Sequence, residues 1–267
     1  MPAFVNSLPV THHSRQDSTK PTKPILAAAR EDEHPQITSL SIVIPAFNEA
    51  GSITKVVEDC LKAGESVTSR LEIIVVNDGS HDGTGALIDR LTVNDPRIIA
   101  LHHQVNQGVG VATRDGFAAA RHDFIFYLDG DGQFDPQEIQ LLLPHCQQFD
   151  FIVGYRINRA DPTHRLVNAR LYNWFLRRVF GLPIRDVNCA FKLIRSASLR
   201  QLRCHSNTAF YLAELIISAA QTGMTFREVP VRHFRREADS QSGGQPRVIL
   251  KCMWNLLRYR LGSWRAR

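Results

Sequence analysis

Short apolar segments alternate with amphipathic ones through the middle of the chain, and this alternation limits the possible folds more than any other feature. Strands are predicted at residues 40–45, 71–76, 97–101, 124–128 and 151–153, and helices at residues 51–63, 82–91, 109–120 and through Ile139, Leu142 and Leu143. Strands that are apolar at every position are buried on both faces. The pattern therefore predicts an α/β fold, with a mostly parallel sheet and helices on both of its faces.

The remainder of the chain divides into further elements and two flanking segments. A helix is predicted at residues 165–180, strands at 189–195 and 225–231, a helix at about 210–222, and a last helix at 246–261 after a polar, glycine-rich loop. We predict three parts: a disordered tail at 1–36, one α/β domain at 37–236, and a loop with a basic amphipathic helix at 237–267.

The composition excludes several classes of protein. A chain of 267 residues suits one large α/β domain, and its net charge of +6 favours an anionic partner, although simple solubility explains the charge equally well. Five cysteines without a C-x-x-C pair argue against a zinc site or a disulfide framework and for reduced thiols facing the cytosol. No segment has the roughly 20 apolar residues of a transmembrane helix, and the N-terminus lacks the apolar core of a secretory signal. We therefore expect a cytoplasmic protein whose membrane contact is peripheral, on the cytosolic face.

Polar and glycine residues follow each of the first four predicted strands, at residues 45–49, 77–80, 106–110 and 129–133. Ligands of open parallel sheets bind outside the carboxyl ends of the strands. All four segments should therefore meet along one edge of the sheet, and the chemistry of the protein should be sought there.

Asp129 and Asp131 are the strongest candidates for chemistry, because two carboxylates after an apolar strand do not belong in a core. Gly130 between them lets the backbone approach a ligand. Mg²⁺ and Mn²⁺ bind carboxylates together with substrate phosphates, and such a metal would neutralise a leaving diphosphate. The alternative is a solvated acidic turn in which Asp135 caps the next helix.

Three other strand-end residues have alternative interpretations. The Asp78 carboxylate could accept hydrogen bonds from a nucleobase or ribose, or form a turn before the next helix. Glu49 at a helix entrance favours capping over ligand contact. Gly108-x-Gly110 favours close backbone approach or turn geometry over dinucleotide binding, because Thr113 replaces the expected third glycine.

Taken together, these segments and several later ones resemble glycosyltransferase family 2 over residues 39 to 235. The matching segments are 41–49 (SIVIPAFNE), 72–80 (EIIVVNDGS), Asn106-x-Gly108-x-Gly110, 129–133 (DGDGQ), 153–156 (VGYR), 186–195 (DVNCAFKLIR) and 228–236 (EVPVRHFRR). The resemblance implies the GT-A fold, which is Rossmann-like, with a C-terminal extension on the acceptor side. It also implies a hexosyltransferase that uses a nucleoside-diphosphate sugar.

The resemblance implies a role for each matching residue. Residues that hold the nucleotide sugar would be Pro45, Phe47, Glu49, Asp78, Gly108 and Gly130. The metal and diphosphate would be held by Asp129, Asp131 and Gln133. Arginine forks suited to donor or acceptor phosphate would come from Arg156 and from Arg235 or Arg236. Asp186 would lie near the acceptor, where it could act as a general base, although a phosphate acceptor needs little such help.

Four positions depart from the family pattern. Phe47 stands where tyrosine is frequent, Asn77 replaces an aspartate, and Ala190 replaces a glycine. The Gly-x-Ser-Lys that often follows the late arginine is absent, and residues 239–245 (DSQSGGQ) stand in its place. These departures leave the identity of the donor and the acceptor open.

The late segments resemble the dolichyl- or polyprenyl-phosphate branch of the family, and the basic C-terminal region agrees with a lipid acceptor. In the predicted last helix an apolar stripe that includes Trp254 lies beside a basic one, which suits an anionic membrane surface, although packing on the domain is an equal alternative. The helix at 165–180, with its aromatic and arginine residues, offers a second candidate surface.

We therefore predict a metal-dependent, inverting transfer of sugar from a GDP- or UDP-linked donor to a polyprenyl phosphate, with Mg²⁺ or Mn²⁺ as cofactor. The alternatives are the same chemistry on a soluble sugar or glycan, and a non-catalytic nucleotide-sugar-binding or membrane scaffold. Nucleic-acid binding is suggested only by the charge, and the sequence contains no recognised motif for it.

Overall fold

The computed structural model describes residues 37–157 and 163–235, together with Trp254, Leu256 and Tyr259. Seven strands form one sheet: β1 (Leu40–Ala46), β2 (Leu71–Asn77), β3 (Ile98–His102), β4 (Phe124–Leu128), β5 (Phe151–Ile157), β6 (Phe191–Arg195) and β7 (Phe226–Arg232). The helices are α1 (Ile53–Glu65), α2 (Thr84–Asn94), α3 (Val109–Ala119), α4 (Thr163–Phe180), α5 (Ser196–Leu199) and α6 (Tyr211–Gln221). The predicted tail at 1–36 and most of the region 237–267 lie outside the described residues.

The strand order is β3-β2-β1-β4-β6-β5-β7. Strands β1 to β4 are mutually parallel, and β5 pairs with β7 in parallel, whereas β6 runs antiparallel to both β4 and β5. Among these seven described strands, β6 alone therefore runs in the opposite direction. The predicted mostly parallel sheet is confirmed.

The central strands show why this sheet forms. Every residue of β1, β2 and β4 is buried, and successive side chains of a strand point to opposite faces. Both faces of the sheet are therefore covered. In α1 the buried residues Ile53, Val56, Val57 and Cys60 recur at three- and four-residue steps, so one stripe of the helix packs against the core.

The helix predicted through Ile139, Leu142 and Leu143 differs in type and continuity. The chain forms two 3-10 helices there, at Pro136–Leu141 and Leu143–His145, and no α-helix. Pro144 lacks the N–H that an α-helix needs at that position, and its ring would clash with the preceding turn. Strand β5, predicted at 151–153, extends four residues further, to Ile157.

The C-terminal helix is described at three helical residues. Leu256 is buried, and the Tyr259 hydroxyl lies 3.2 Å from both Ser218 Oγ and Gln221 Oε1 on α6. Trp254 belongs to the predicted apolar stripe and is 62% exposed. At these positions one side of the helix packs on the domain and the tryptophan faces outward. Among the described residues, no helix combines the length and apolarity needed to cross a membrane.

Candidate active site

The carboxyl ends of β1 to β4 form one edge of the sheet, as predicted. The register pairs Ala46 with Asn77, and Asn77 with His102, so the loops after β1, β2 and β3 begin side by side. Hydrogen bonds then join the first two loops: Asn48 N–H donates to Ser80 Oγ at 3.0 Å, and His81 N–H donates to Asn48 Oδ1 at 2.9 Å. The segments that the sequence separates therefore form one connected surface.

Pro45, Phe47 and Glu49 line the start of this surface. The Pro45 carbonyl accepts the N–H of Gly130 at 3.3 Å, which joins the end of β1 to the segment after β4. The half-buried Phe47 ring stands edge-on to His81, with 6.4 Å between the ring centroids. Glu49 is buried, and its backbone carbonyl accepts the N–H groups of Ser52 and Ile53 in the turn that leads into α1.

Asp78 is buried and organises the loop after β3. Its carboxylate accepts the N–H of Gln107 at 2.9 Å and of Gly108 at 2.8 Å, and His103 Nδ1 lies 2.7 Å away. The second ring nitrogen of His103 lies 3.2 Å from Asp115 Oδ2 on α3. Asp78 therefore holds the backbone of the glycine segment in place. Its contact with a nucleoside stays a prediction.

Two glycines of this region are required by their surroundings. Gly79 has φ +69°, and a Cβ there would lie about 2.5 Å from the backbone of Val105 and Asn106. A Cβ on Gly110 would lie under 3.0 Å from the carbonyl oxygen of Thr208. The loop before α6 thus lies directly against the start of α3, close to Gly108.

The pKa of Asp129 is shifted by its burial and by the charged residues around it. Burial, followed by the negative charge of Asp131, raises the pKa of Asp129 to about 7, against the opposing effects of Arg156 and Lys192. The Tyr127 hydroxyl lies 3.3 Å from Asp129 Oδ1. Two neighbouring carboxyls that resist ionising together would be stabilised by a cation placed between them.

Gln133 ties this segment to the chain after β7. Its side-chain amide donates to the Phe234 carbonyl at 2.9 Å, and its own carbonyl accepts the Phe234 N–H at 2.9 Å. Asp131 Oδ1 accepts the Gln133 N–H at 3.0 Å, so Asp131 shapes the turn as well. Arg235 follows Phe234 and is exposed near this turn, whereas Arg236 lies outside the described residues.

Arg156 and Asp186 form a bidentate ion pair. Arg156 Nε lies 2.8 Å from Asp186 Oδ2, and Arg156 Nη2 lies 2.9 Å from Oδ1. The exposed fractions of the two side chains are 15% and 9%. The structure brings these two predicted residues together and fixes the guanidinium in one orientation.

Lys192 was not predicted. It lies on β6, is fully buried, and donates a hydrogen bond to the Cys189 carbonyl. Burial lowers the pKa of Lys192, while Cys189, Asp186 and Asp129 oppose that shift. A lysine within the apolar segment 191–194 (FKLI) was the available signal, since lysine is almost never fully buried unless it is paired.

The donor set fits a hard divalent cation. Asp129 and Asp131 offer carboxylate oxygens and Gln133 an amide oxygen, which are the ligand types that Mg²⁺ and Mn²⁺ prefer. Across 37–157 and 163–235, no three His, Cys, Asp or Glu side chains come together as a metal site. Two carboxylates and one amide are fewer ligands than such a cation needs, so a metal held there would also need phosphate or water oxygens.

Comparison with known proteins assigns the family. The sequence pattern of "Glycosyl transferase family 2" matches residues 41–203, which is more than half of the chain. An undecaprenyl-phosphate 4-deoxy-4-formamido-L-arabinose transferase of Edwardsiella ictaluri is 30% identical over 217 residues, covering 80% of this chain and 65% of that protein. The enzyme of the same name from Salmonella choleraesuis is 31% identical over 206 residues, covering 75% of this chain and 61% of the relative. The chain thus spans less than two thirds of the length of these relatives.

Solved structures agree on the fold. Glucosyl-3-phosphoglycerate synthase from Mycobacterium tuberculosis, in complex with Mn²⁺, UDP and glucosyl-3-phosphoglycerate, matches with a TM-score of 0.64 and 17% identity over 84% of this chain and 80% of that one. Its complex with phosphoglyceric acid gives a TM-score of 0.65 at 18% identity with the same coverage. The family match and the GT-A architecture agree with the arrangement of the strand ends, and the chain belongs to glycosyl transferase family 2.

Proposed function

We propose that this glycosyltransferase moves a sugar from a nucleoside-diphosphate sugar to the phosphate of a polyprenyl phosphate, with inversion at the anomeric carbon. A phosphate oxygen of the acceptor attacks that carbon, and the bond between the sugar and the nucleoside diphosphate breaks. The nucleoside diphosphate leaves with the electron pair of that bond.

The observation that carries the proposal is the neighbourhood of opposite charges at one edge of the sheet. The acidic pair Asp129 and Asp131 lies within the electrostatic influence of two cations, Arg156 and Lys192. An acidic pair suits a metal-bound diphosphate, and the adjacent Arg156 guanidinium, which Asp186 holds in place, suits a second, anionic substrate. Mg²⁺ or Mn²⁺, when bound there with Gln133, would neutralise the leaving diphosphate.

The remaining site residues have supporting roles in the proposal. The nucleoside lies against the surface of Pro45, Phe47, Glu49 and Asp78, and the diphosphate approaches the backbone at Gly108 and Gly130. Arg156 presents its guanidinium to phosphate, with Arg235 or Arg236 as a second contact from the chain after β7.

Asp186 takes a different role from the general base that the family resemblance suggested. Its carboxylate already accepts two hydrogen bonds from the Arg156 guanidinium. A phosphate acceptor is anionic and needs no proton removed before it attacks. We propose that Asp186 orients Arg156, and that the base role applies only to a hydroxyl acceptor.

The names of the relatives guide the choice of substrates. Both relatives are named as undecaprenyl-phosphate transferases, which supports a polyprenyl phosphate acceptor. The structural neighbour was crystallised with UDP and Mn²⁺, which makes UDP-sugars and Mn²⁺ the first combination to test, followed by GDP-sugars and Mg²⁺. The basic helix predicted at 246–261 would lie against the membrane that holds the acceptor.

The test is transfer of radiolabelled sugar from a panel of UDP- and GDP-sugars to undecaprenyl phosphate in detergent, with label counted in the organic phase. We expect label there, and a loss of at least about a hundredfold in Asp129→Ala, on the scale of removing one preorganised electrostatic contact. Asp123→Asn is the matched control, because Asp123 precedes β4 at the opposite edge of the sheet and is exposed. Its activity should stay within about twofold of wild type.

Two results would contradict the proposal. Label confined to the aqueous phase would move the acceptor to a soluble sugar, glycan or phosphorylated metabolite. Folded protein that neither transfers nor hydrolyses any donor, with any metal, would instead favour the non-catalytic binding protein.

A further inference from the structure

The outward side of α4 carries an exposed apolar stripe. Val167, Leu171 and Trp174 have exposed fractions of 54%, 62% and 55%. They are four and three residues apart, so they lie on one side of the helix. Large apolar side chains exposed together in this way mark a binding surface more often than chance exposure does.

Three arginines lie on the same side of α4 as the stripe. Arg170, Arg177 and Arg178 are exposed, and the 18 residues of α4 include no aspartate or glutamate. None of the ion pairs that join described residues involves these three arginines. We call the six residues together the Trp174 face.

The opposite side of α4 is fixed to the candidate active site. Asn173 and Leu176 are buried, and Asn173 Oδ1 accepts the N–H of Val187 at 3.1 Å. Val187 directly follows Asp186, which holds Arg156. Any surface that binds the outward side of α4 is therefore kept at a set distance from the residues proposed to meet the acceptor phosphate.

We propose that the Trp174 face binds the anionic surface of a lipid bilayer. The apolar stripe would enter the boundary between headgroups and acyl chains, where tryptophan is favoured, and the arginines would meet lipid phosphates. A two-fold contact with a second copy is disfavoured because it would bring arginines against arginines. The inference rests on the proposed function, because a lipid acceptor is the reason for the enzyme to contact a membrane. It deepens that function by assigning the membrane contact to α4 as well as to the C-terminal helix.

The test measures binding of the full chain to lipid vesicles by cosedimentation. One set of vesicles is pure phosphatidylcholine, and the other contains phosphatidylcholine and phosphatidylglycerol in equal amounts. We expect binding to the anionic vesicles only. Arg177→Glu with Arg178→Glu should weaken it at least about 25-fold, since a basic residue near an anionic surface contributes about fivefold.

A second variant tests the apolar stripe, and controls come from α2. Leu171→Ser with Trp174→Ser should also weaken binding, by at least about tenfold for two interfacial apolar side chains. Arg90→Glu with Val93→Ser changes an exposed arginine and a valine that is 85% exposed, on a helix that packs at the β3 end of the sheet. This control should bind as wild type does.

Equal binding by wild type and both α4 variants would overturn the inference. So would sedimentation velocity showing a dimer that the α4 variants abolish in the absence of lipid. Failure of the proposed function is recognised separately: wild type would then transfer no sugar to detergent-solubilised acceptor, while vesicle binding could still be measured. If both hold, the α4 variants transfer sugar in detergent and lose transfer to acceptor embedded in anionic vesicles.

Discussion

The buried carboxylate of Asp78 allows a quantitative test of how the donor side of the site is built. In Asp78→Asn the side chain loses its charge, and its new amide group cannot accept the hydrogen bond that Gly108 N–H now donates at 2.8 Å. Hydrogen bonds to charged groups contribute about 1.5–3 kcal/mol each to stability, and a donor left unsatisfied away from water costs about 1–3 kcal/mol. Gln107 and His103 keep an acceptor oxygen at residue 78, although that oxygen no longer carries a charge. We therefore expect the free energy of unfolding to fall by about 2–4 kcal/mol in total.

The assay is urea unfolding at neutral pH, supported by thermal unfolding, in which the loss corresponds to a fall in Tm of about 4–16 °C for a domain of this size. Asp89→Asn is the matched control. Asp89 also faces a histidine, His102 Nε2 at 3.1 Å, but its side chain is 66% exposed. That substitution should cost no more than about 0.5 kcal/mol. Equal losses in the two variants would refute the view that burial of Asp78 makes it the anchor of the loop.

Two further predictions concern stability near the same edge. Gly110→Ala places a Cβ under 3.0 Å from the Thr208 carbonyl, so it should lower the free energy of unfolding by about 1–3 kcal/mol in urea melts. Gly51→Ala is the control, because its added Cβ has no atom within 4 Å, and it should change the free energy of unfolding by no more than about 0.5 kcal/mol. Equal effects of the two substitutions would show that the loop before α6 moves away from the added Cβ without a cost in stability. Burial raises the pKa of Asp82, but hydrogen bonds from Thr84 and from the Ala50 N–H outweigh it and hold the pKa below its ordinary 3.8. The stabilisation by this carboxylate is therefore present above pH 3.8 and lost as the pH falls below that value. The stability difference between wild type and Asp82→Asn, followed by urea unfolding across acidic pH, should shrink in that range, and a constant difference would contradict the assignment.

Some of this fold follows from local sequence alone. The segments that became β1, β2 and β4 are apolar or small at nearly every position, and burial on both faces is the stable outcome for such strands. Once the strands are parallel, their carboxyl ends share an edge. The meeting of residues 45–49, 77–80, 106–110 and 129–133 could therefore be predicted without knowing any distance.

Local sequence did not predict the reversal of β6 or the shape of the chain after β4. The apolar pattern of the segment that forms β6 predicts a strand. It does not indicate the direction of that strand in the sheet or the strands with which it pairs. The helix predicted from the periodic apolar positions Ile139, Leu142 and Leu143 formed as two 3-10 helices, since Pro144 lacks the N–H that an α-helix would need there. Pairing and chain direction depend on contacts between distant elements.

The site itself shows the same division. Its acidic centre was visible in the sequence, because two carboxylates after an apolar strand have few structural explanations. The bidentate pair of Arg156 with Asp186 joins residues 30 positions apart, and the Gln133 amide meets the Phe234 carbonyl across 101 positions. The sequence by itself therefore determined which residue types stand at the ends of the strands, because burial and periodicity act locally. Only the tertiary structure decided which of them are paired, buried or presented to a ligand, because a hydrogen bond between distant residues exists only once the sheet has brought their atoms within about 3 Å.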